Sequence, residues 1–180
     1  VERSDINLQD FERLDSIIEQ FSPDVIINAA AYTDVDKAES NPNEAFDVNA
    51  NLVQHLAEMA EKKDAILIHY STDYVFDGNL KGIHTEESRI NPLSVYGKSK
   101  LLGEERIISS GCKYLIFRTC WVYSDIRKNF LLTMINAFRL KESVDVVDDQ
   151  VGTPTSSKLI SDLTLDCLQK IFYQDISINK

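Results

Sequence analysis

Tyr96 and Lys100 stand four residues apart near the start of an apolar-periodic segment from Ser94 to Ser110, and Thr72 lies 24 positions upstream of the tyrosine, just after an apolar run. On a helix, positions i and i+4 share a face, so the Lys100 ammonium is expected beside the Tyr96 phenol. A nearby positive charge favours phenolate and brings down a pKa that starts near ~10. A phenol tuned in this way is a general acid at neutral pH. A Thr72 hydroxyl at the end of a strand would hold a substrate oxygen while the proton moves. The chemistry of such a trio is carbonyl reduction or its reverse. Taken alone the pair is a weak signal, because Tyr and Lys at this spacing are common on solvated helix faces.

The elements that must position the trio alternate between helix and strand. Phe11, Leu14, Ile17, Ile18 and Phe21 repeat at helical spacing, and Pro23 closes that helix before the short strand Val25-Ile26-Ile27. Asn41-Pro42 is a cap and first-turn signal for a long helix whose stripe runs through Ala45, Val48, Leu52, Leu56 and Met59 toward Lys63. Ala65 to Ile68 reads as a strand, Leu101, Ile107 and Ile108 mark the helix carrying Lys100, and Tyr114 to Phe117 reads as the next strand. Phe130 to Leu140 reads as helix, Val144 to Val147 as a short strand, and Leu159, Ile160, Leu163, Leu168 and Ile171 as a last helix. Strands apolar on both faces and separated by helices predict an α/β fold, a doubly wound parallel sheet covered on both sides.

Composition narrows the function classes. A chain of 180 residues with 43% hydrophobic content and no internal repeat is expected to form one domain, residues 1–180. The formal net charge of -10 argues against nucleic acid or an anionic membrane as the main partner, since both need basic patches. Cys112, Cys120 and Cys167 are odd in number and lack C-x-x-C spacing, so neither a zinc site nor a disulfide framework is expected. His55, His69 and His84 show no metal-ligand spacing, and no metal site is assigned. The sequence has no apolar stretch of membrane-spanning length and reads as cytoplasmic.

In parallel sheets of this kind ligands bind beyond the carboxyl ends of the strands. Three such ends carry the unusual residues: Asn28 to Thr33, Ser71 to Phe76, and Arg118 to Tyr123. Ala29, Ala30 and Ala31 would let a ligand approach the backbone closely, although simple packing explains small residues as well. Trp121, the single tryptophan, either stacks on a flat base or sugar or fills core.

Five runs carry a family resemblance: Asp24 to Glu39, Ser71 to Phe76, Pro92 to Lys100, Arg118 to Tyr123, and Asp149 to Thr155. In order and spacing they resemble the extended short-chain dehydrogenase/reductases, and among these the dTDP-4-dehydrorhamnose reductase family. The resemblance implies a Rossmann-like sheet, incomplete at both ends of this chain, and reduction of a 4-keto-6-deoxy sugar nucleotide with NADPH or NADH. Tyr96 would donate the proton, Lys100 would tune it and hold the nicotinamide ribose, and Thr72 would hydrogen-bond the reacting oxygen. Ala29, Ala30, Ala31, Tyr32 and Thr33 would line the cofactor, with Asp5 and Ile6 near its adenine. Thr72, Asp73 and Trp121 would meet the dTDP-sugar substrate. The resemblance also implies that a substrate-binding portion begins near 149–180, and it admits a homodimer.

Departures from the family pattern are equally visible. A dinucleotide fold needs a Gly-rich first strand-to-helix turn. The six glycines, Gly78, Gly82, Gly97, Gly103, Gly111 and Gly152, form none, so the expectation is a piece lacking the N-terminal Gly-rich unit and binding cofactor poorly by itself. Cys120 and Ser124 stand where the family more often has Ser and Gly. Sugar-nucleotide dehydratases place Asp and Glu after the Thr, whereas Thr72 is followed by Asp73 and Tyr74. Epimerases share the Tyr and Lys. The regulatory subunit of methionine adenosyltransferase, a binding protein, also resembles this family but departs from the Arg-Thr-x-Trp-Val-Tyr pattern seen from Arg118 to Tyr123.

Overall fold

The structure, a computed structural model, describes residues 10–79, 82–126, 129–174 and 178. The Asp5 and Ile6 assignments lie outside the described residues. Helix α1 (Phe11–Phe21) starts at Asp10, whose carboxylate accepts the Arg13 N–H at 3.0 Å. It ends at Ser22, which turns left-handed at φ 44° and donates its N–H to the Ile18 carbonyl, with Pro23 barring further helix. Strand β1 (Val25–Asn28) follows and pairs in parallel with β2 (Ile66–Thr72), in a register from Val25 opposite Ile66 to Asn28 opposite His69.

The crossover between these strands is helical. It comprises α2 (Val35–Ser40), α3 (Pro42–Phe46), one π-helical turn (Asp47–Asn51) and α4 (Leu52–Lys62). The expected long helix is therefore present but wound wider at Asp47–Asn51, a kind of insertion that often marks a functional site. Strand β3 (Lys113–Thr119) lies on the other side of β2, giving the order β1-β2-β3. Leu52, Val53, Leu56 and Met59 of α4 pack with Leu67 of β2 and Ile107 in one core. Each fully buried side chain of this size contributes about 2 kcal/mol.

Helix α5 (Val95–Ser110) carries the Tyr-Lys pair. Ser94 caps it, its hydroxyl accepting the Gly97 N–H at 3.0 Å, and Gly111 ends it at φ 81°. A Cβ on Gly97 would lie 2.3 Å from the Tyr74 carbonyl oxygen, and one on Gly103 would lie 2.2 Å from that of Asn49. The two glycines let α5 press directly against the 3₁₀ turn Asp73–Val75 and against the π-helical turn.

The described residues form two compact units, one of Asp10 to Arg118 with Ile178 and one from Thr119 to Gln174. The second contains β4 (Val122–Tyr123), α6 (Phe130–Leu140), β5 (Thr155–Ser156) and α7 (Ser157–Gln174), with β4 and β5 paired in parallel. Two expectations are corrected here. Val144 to Val147 is not a strand: β-branched residues suit a sheet only where neighbours cover them, and Val146 and Val147 are 49% and 68% exposed. Strand β2 runs on to Thr72, because its polar end, His69, Ser71 and Thr72, finds partners inside the protein.

Candidate active site

Thr72 ends β2 in extended backbone, and its hydroxyl accepts the Tyr74 N–H at 3.2 Å, which starts the 3₁₀ turn. The same hydroxyl donates to Asp73 Oδ1 at 3.2 Å. Gly97 brings the first turn of α5 onto this turn, and there the half-buried Tyr96 sits edge-on to the Tyr74 ring, with centroids 5.5 Å apart. Tyr96 lies beside Thr72, close enough for the Thr72 hydroxyl to act on the phenol. Sequence spacing and fold therefore bring Thr72, Asp73, Tyr96 and Lys100 together in one unit.

The electrostatics differ from the expectation. Burial pushes the Tyr96 phenol above its ordinary range; the neighbouring Thr72 hydroxyl pulls the other way, and the nearby Asp73 adds to the rise. Lys100, 1% exposed, turns its amine into the sheet, donating to the Tyr70 carbonyl at 2.6 Å and meeting His69 Nε2 at 3.1 Å. Burial brings Lys100 down to about 8, against an opposing pull from Glu104. Burial, with the Lys100 charge behind it, holds His69 well below the usual histidine range.

Around this centre lies a buried polar framework that sequence reasoning missed. The Asn28 amide contacts His69 Nδ1 at 3.1 Å through its nitrogen and accepts the Ala30 N–H at 3.1 Å through its oxygen. Asn49, at the π-helical turn, binds both backbone groups of Tyr32, accepting its N–H at 2.9 Å and donating to its carbonyl at 3.0 Å. Its amide also donates to Ser99 Oγ at 3.0 Å, and Ser99 donates to the Tyr96 carbonyl at 2.8 Å. The segment from Ala29 to Thr33 is thus neither helix nor strand but a loop past the end of β1, pinned by two asparagines. On the other flank Glu104, one turn beyond Lys100, accepts a forked pair from Arg118, with Nη2 to Oε2 at 2.7 Å, and the Ser71 hydroxyl. The Arg118 guanidinium lies over the Phe76 ring, 5.4 Å from its centroid. The signal that identifies these residues is a polar side chain interrupting an apolar run: Asn28 after Ile27, Asn49 between Val48 and Leu52, His69 after Ile68.

Trp121 belongs to the second unit. It adopts a left-handed φ of 45° and is 45% exposed, so it does not fill core. Its carbonyl accepts the Thr155 N–H at 3.4 Å, and a Cβ on Gly152 would lie 2.8 Å from its ring. Among the described residues no cluster of three or more His, Cys, Asp or Glu could hold a metal ion, and no helix is long and apolar enough to cross a membrane.

A parallel sheet flanked by helices, with a Thr, Tyr and Lys gathered past the end of a strand, defines a Rossmann-like α/β domain of the short-chain dehydrogenase/reductase type. Residues 1–178 match the RmlD substrate binding domain. The chain is 42% identical over 168 residues to a dTDP-4-dehydrorhamnose reductase of Aggregatibacter actinomycetemcomitans, covering 93% of this chain and 57% of that protein. Among solved structures, a dTDP-4-dehydrorhamnose reductase of Clostridium acetobutylicum superposes with a TM-score of 0.91 at 38% identity, covering 96% of this chain and 61% of that one. The Bacillus anthracis dTDP-4-dehydrorhamnose reductase, solved in complex with NADP, superposes with a TM-score of 0.87 at 32% identity over the same shares. The chain therefore belongs to the RmlD substrate binding domain family, and it spans between half and two thirds of the length of these relatives.

Proposed function

We propose that the protein to which these residues belong reduces dTDP-4-dehydro-L-rhamnose to dTDP-L-rhamnose with NADPH or NADH. The observation that carries this reading is the placement of Tyr96, in the first turn of α5, beside Thr72 at the carboxyl end of β2, with Lys100 buried one turn further along the same helix. A bound nicotinamide dinucleotide would supply the hydride to the keto carbon. The residues that would hold it are Ala29, Ala30, Ala31, Tyr32 and Thr33, with Lys100 at the ribose. The fit rests on the loop itself: its side chains are small through Ala31, and its backbone is fixed by Asn28 and Asn49 before any ligand arrives.

Within this reading Thr72 orients the substrate oxygen, and Tyr96 gives its phenolic proton to that oxygen as it gains negative charge. Burial suits the role, since a phenol held above its ordinary range stays protonated until a stronger base forms beside it. Asp73 and Trp121 would contact the sugar nucleotide. A homodimer, no nucleic acid or membrane partner, and a cytoplasmic location accompany this assignment. The test is NADPH consumption by the full-length protein with dTDP-4-dehydro-L-rhamnose. Oxidation that depends on the sugar supports the reading. No oxidation, together with capture of an adenosyltransferase partner, would replace it with a binding role.

A further inference from the structure

Hydrogen-bond direction makes the Asn28–His69–Lys100 chain more than packing. The Ala30 N–H is a donor only, so the Asn28 atom it meets at 3.1 Å is the amide oxygen. The amide nitrogen, also a donor only, then faces His69 Nδ1 at 3.1 Å, which must accept. A neutral imidazole with an accepting Nδ1 carries its proton on Nε2. That N–H points at Lys100 Nζ, 3.1 Å away, and only an unprotonated amine has a lone pair to receive it. The remaining contact, Lys100 to the Tyr70 carbonyl at 2.6 Å, is satisfied by either form of the amine.

An ammonium at Lys100 reverses every member of this chain. It needs Nε2 as acceptor, which moves the imidazole proton to Nδ1, where it collides with the Asn28 NH₂. Turning the Asn28 amide relieves that clash but takes its oxygen away from the Ala30 N–H. We propose that His69 and Asn28 are positioning residues that couple the protonation of Lys100 to the backbone of the loop after β1, the neutral amine matching the observed arrangement and the ammonium releasing the Ala30 N–H to an outside acceptor. The inference rests on the active-site reading above, and it assigns the loop a state that depends on the charge of the lysine behind it.

The surrounding charges leave this chain in control. Among the described residues, β2 offers Lys100 only His69 and the Tyr70 carbonyl. From α5 itself come Tyr96 and Glu104, and Glu104 is already matched by Arg118. Asp73, in the 3₁₀ turn, acts on Tyr96. With Lys100 brought to about 8, both forms are accessible around neutral to mildly alkaline pH.

The test is long-range ¹H–¹⁵N correlation on the full-length protein labelled with ¹⁵N-histidine, the His69 signal being assigned by its loss in His69→Gln. The expected result is the Nε2–H tautomer above pH 8, converting to Nδ1–H on acidification, with a pH-independent tautomer in Lys100→Met. An Nδ1–H tautomer at every pH, or an unchanged Nε2–H tautomer through the titration of Lys100, overturns the proposal. A second arm uses turnover. The Gln amide keeps an acceptor toward Asn28 and a donor toward Lys100, so His69→Gln keeps most of kcat/KM, whereas His69→Leu loses about tenfold or more. Equal losses in the two variants overturn it. The tautomer readout needs no turnover, so a protein showing the coupling without reductase activity would support this inference while removing the function it serves.

Discussion

Burial holds the Tyr96 phenol above its ordinary range, and an acid that keeps its proton through neutral pH donates only to a strong base formed next to it. Replacing Tyr96 by Phe removes that proton and leaves the ring packing on Tyr74. In the full-length protein Tyr96→Phe is expected to lower kcat by about 100-fold or more while NADPH binding changes little, as read by steady-state kinetics and fluorescence titration. A loss of only a few-fold would remove Tyr96 from the proton-donor role. Lys100 permits a prediction on stability with a definite sign. Its pKa in the fold is about 8, below the roughly 10.4 of an unfolded lysine, so the unfolded chain binds more protons between these values. Folding is therefore penalised by about 3 kcal/mol below pH 8, and the penalty is relieved as pH rises from 8 toward ~10.4. Lys100→Met removes the charge and forfeits about 1 kcal/mol for each of its hydrogen bonds, to the Tyr70 carbonyl and to His69, a net gain of about 1 kcal/mol at pH 7. Urea unfolding at pH 7 and pH 10 checks this: the variant should be the more stable at pH 7, with its advantage shrinking or reversing at pH 10.

At the scale of elements, α5 is the part that turns a sequence pattern into geometry. Its contact with the 3₁₀ turn is backbone on backbone at Gly97, where a Cβ would lie 2.3 Å from the Tyr74 oxygen, too close for any rotamer change to relieve. Gly97→Ala must push the first turn of α5 away from Thr72. The expected cost is about 2–3 kcal/mol in denaturant unfolding. Turnover should fall further than stability alone explains, since displacing a reacting group by ~1 Å costs on the order of 100-fold. An alanine variant with unchanged unfolding and turnover would show that the helix does not need this approach. The same element shows what could be read from the sequence. The Ser94 cap, the Tyr96–Lys100 face and the Gly111 stop are local, so spacing and capping chemistry revealed them. Asn49 and His69 were not legible, because their partners are 50 and 31 positions away. Apolar periodicity treats such residues as interruptions, when they are the groups the core was built around. The buried partners of Lys100 were hidden for the same reason: i, i+4 spacing places two residues on a face but says nothing about a carbonyl and an imidazole on the neighbouring strand. Val144 to Val147 failed in the opposite sense, since β-branched residues without a covering neighbour make no strand.

For the whole molecule the question is how much of a dinucleotide these 180 residues can grip. The residues proposed for proton delivery lie between Asn28 and Arg118, with buried polar groups hydrogen-bonded around them. Pyrophosphate handling is a separate task that requires backbone N–H groups at a glycine turn opening a helix. All six glycines are otherwise placed: Gly97 and Gly103 are consumed by the packing of α5, Gly111 ends that helix, Gly78 and Gly82 lie between the 3₁₀ turn and α5, and Gly152 lies against Trp121. None joins a strand to a following helix in the manner a pyrophosphate needs. The 180-residue chain is accordingly expected to bind NADPH at least about 100-fold more weakly than the full-length protein, a difference of roughly 3 kcal/mol. Isothermal titration of both proteins under one buffer measures it directly. Equal affinities would mean that the loop from Ala29 to Thr33 and Lys100 hold the cofactor without a glycine turn, and the division of labour between proton delivery and cofactor grip would have to be abandoned.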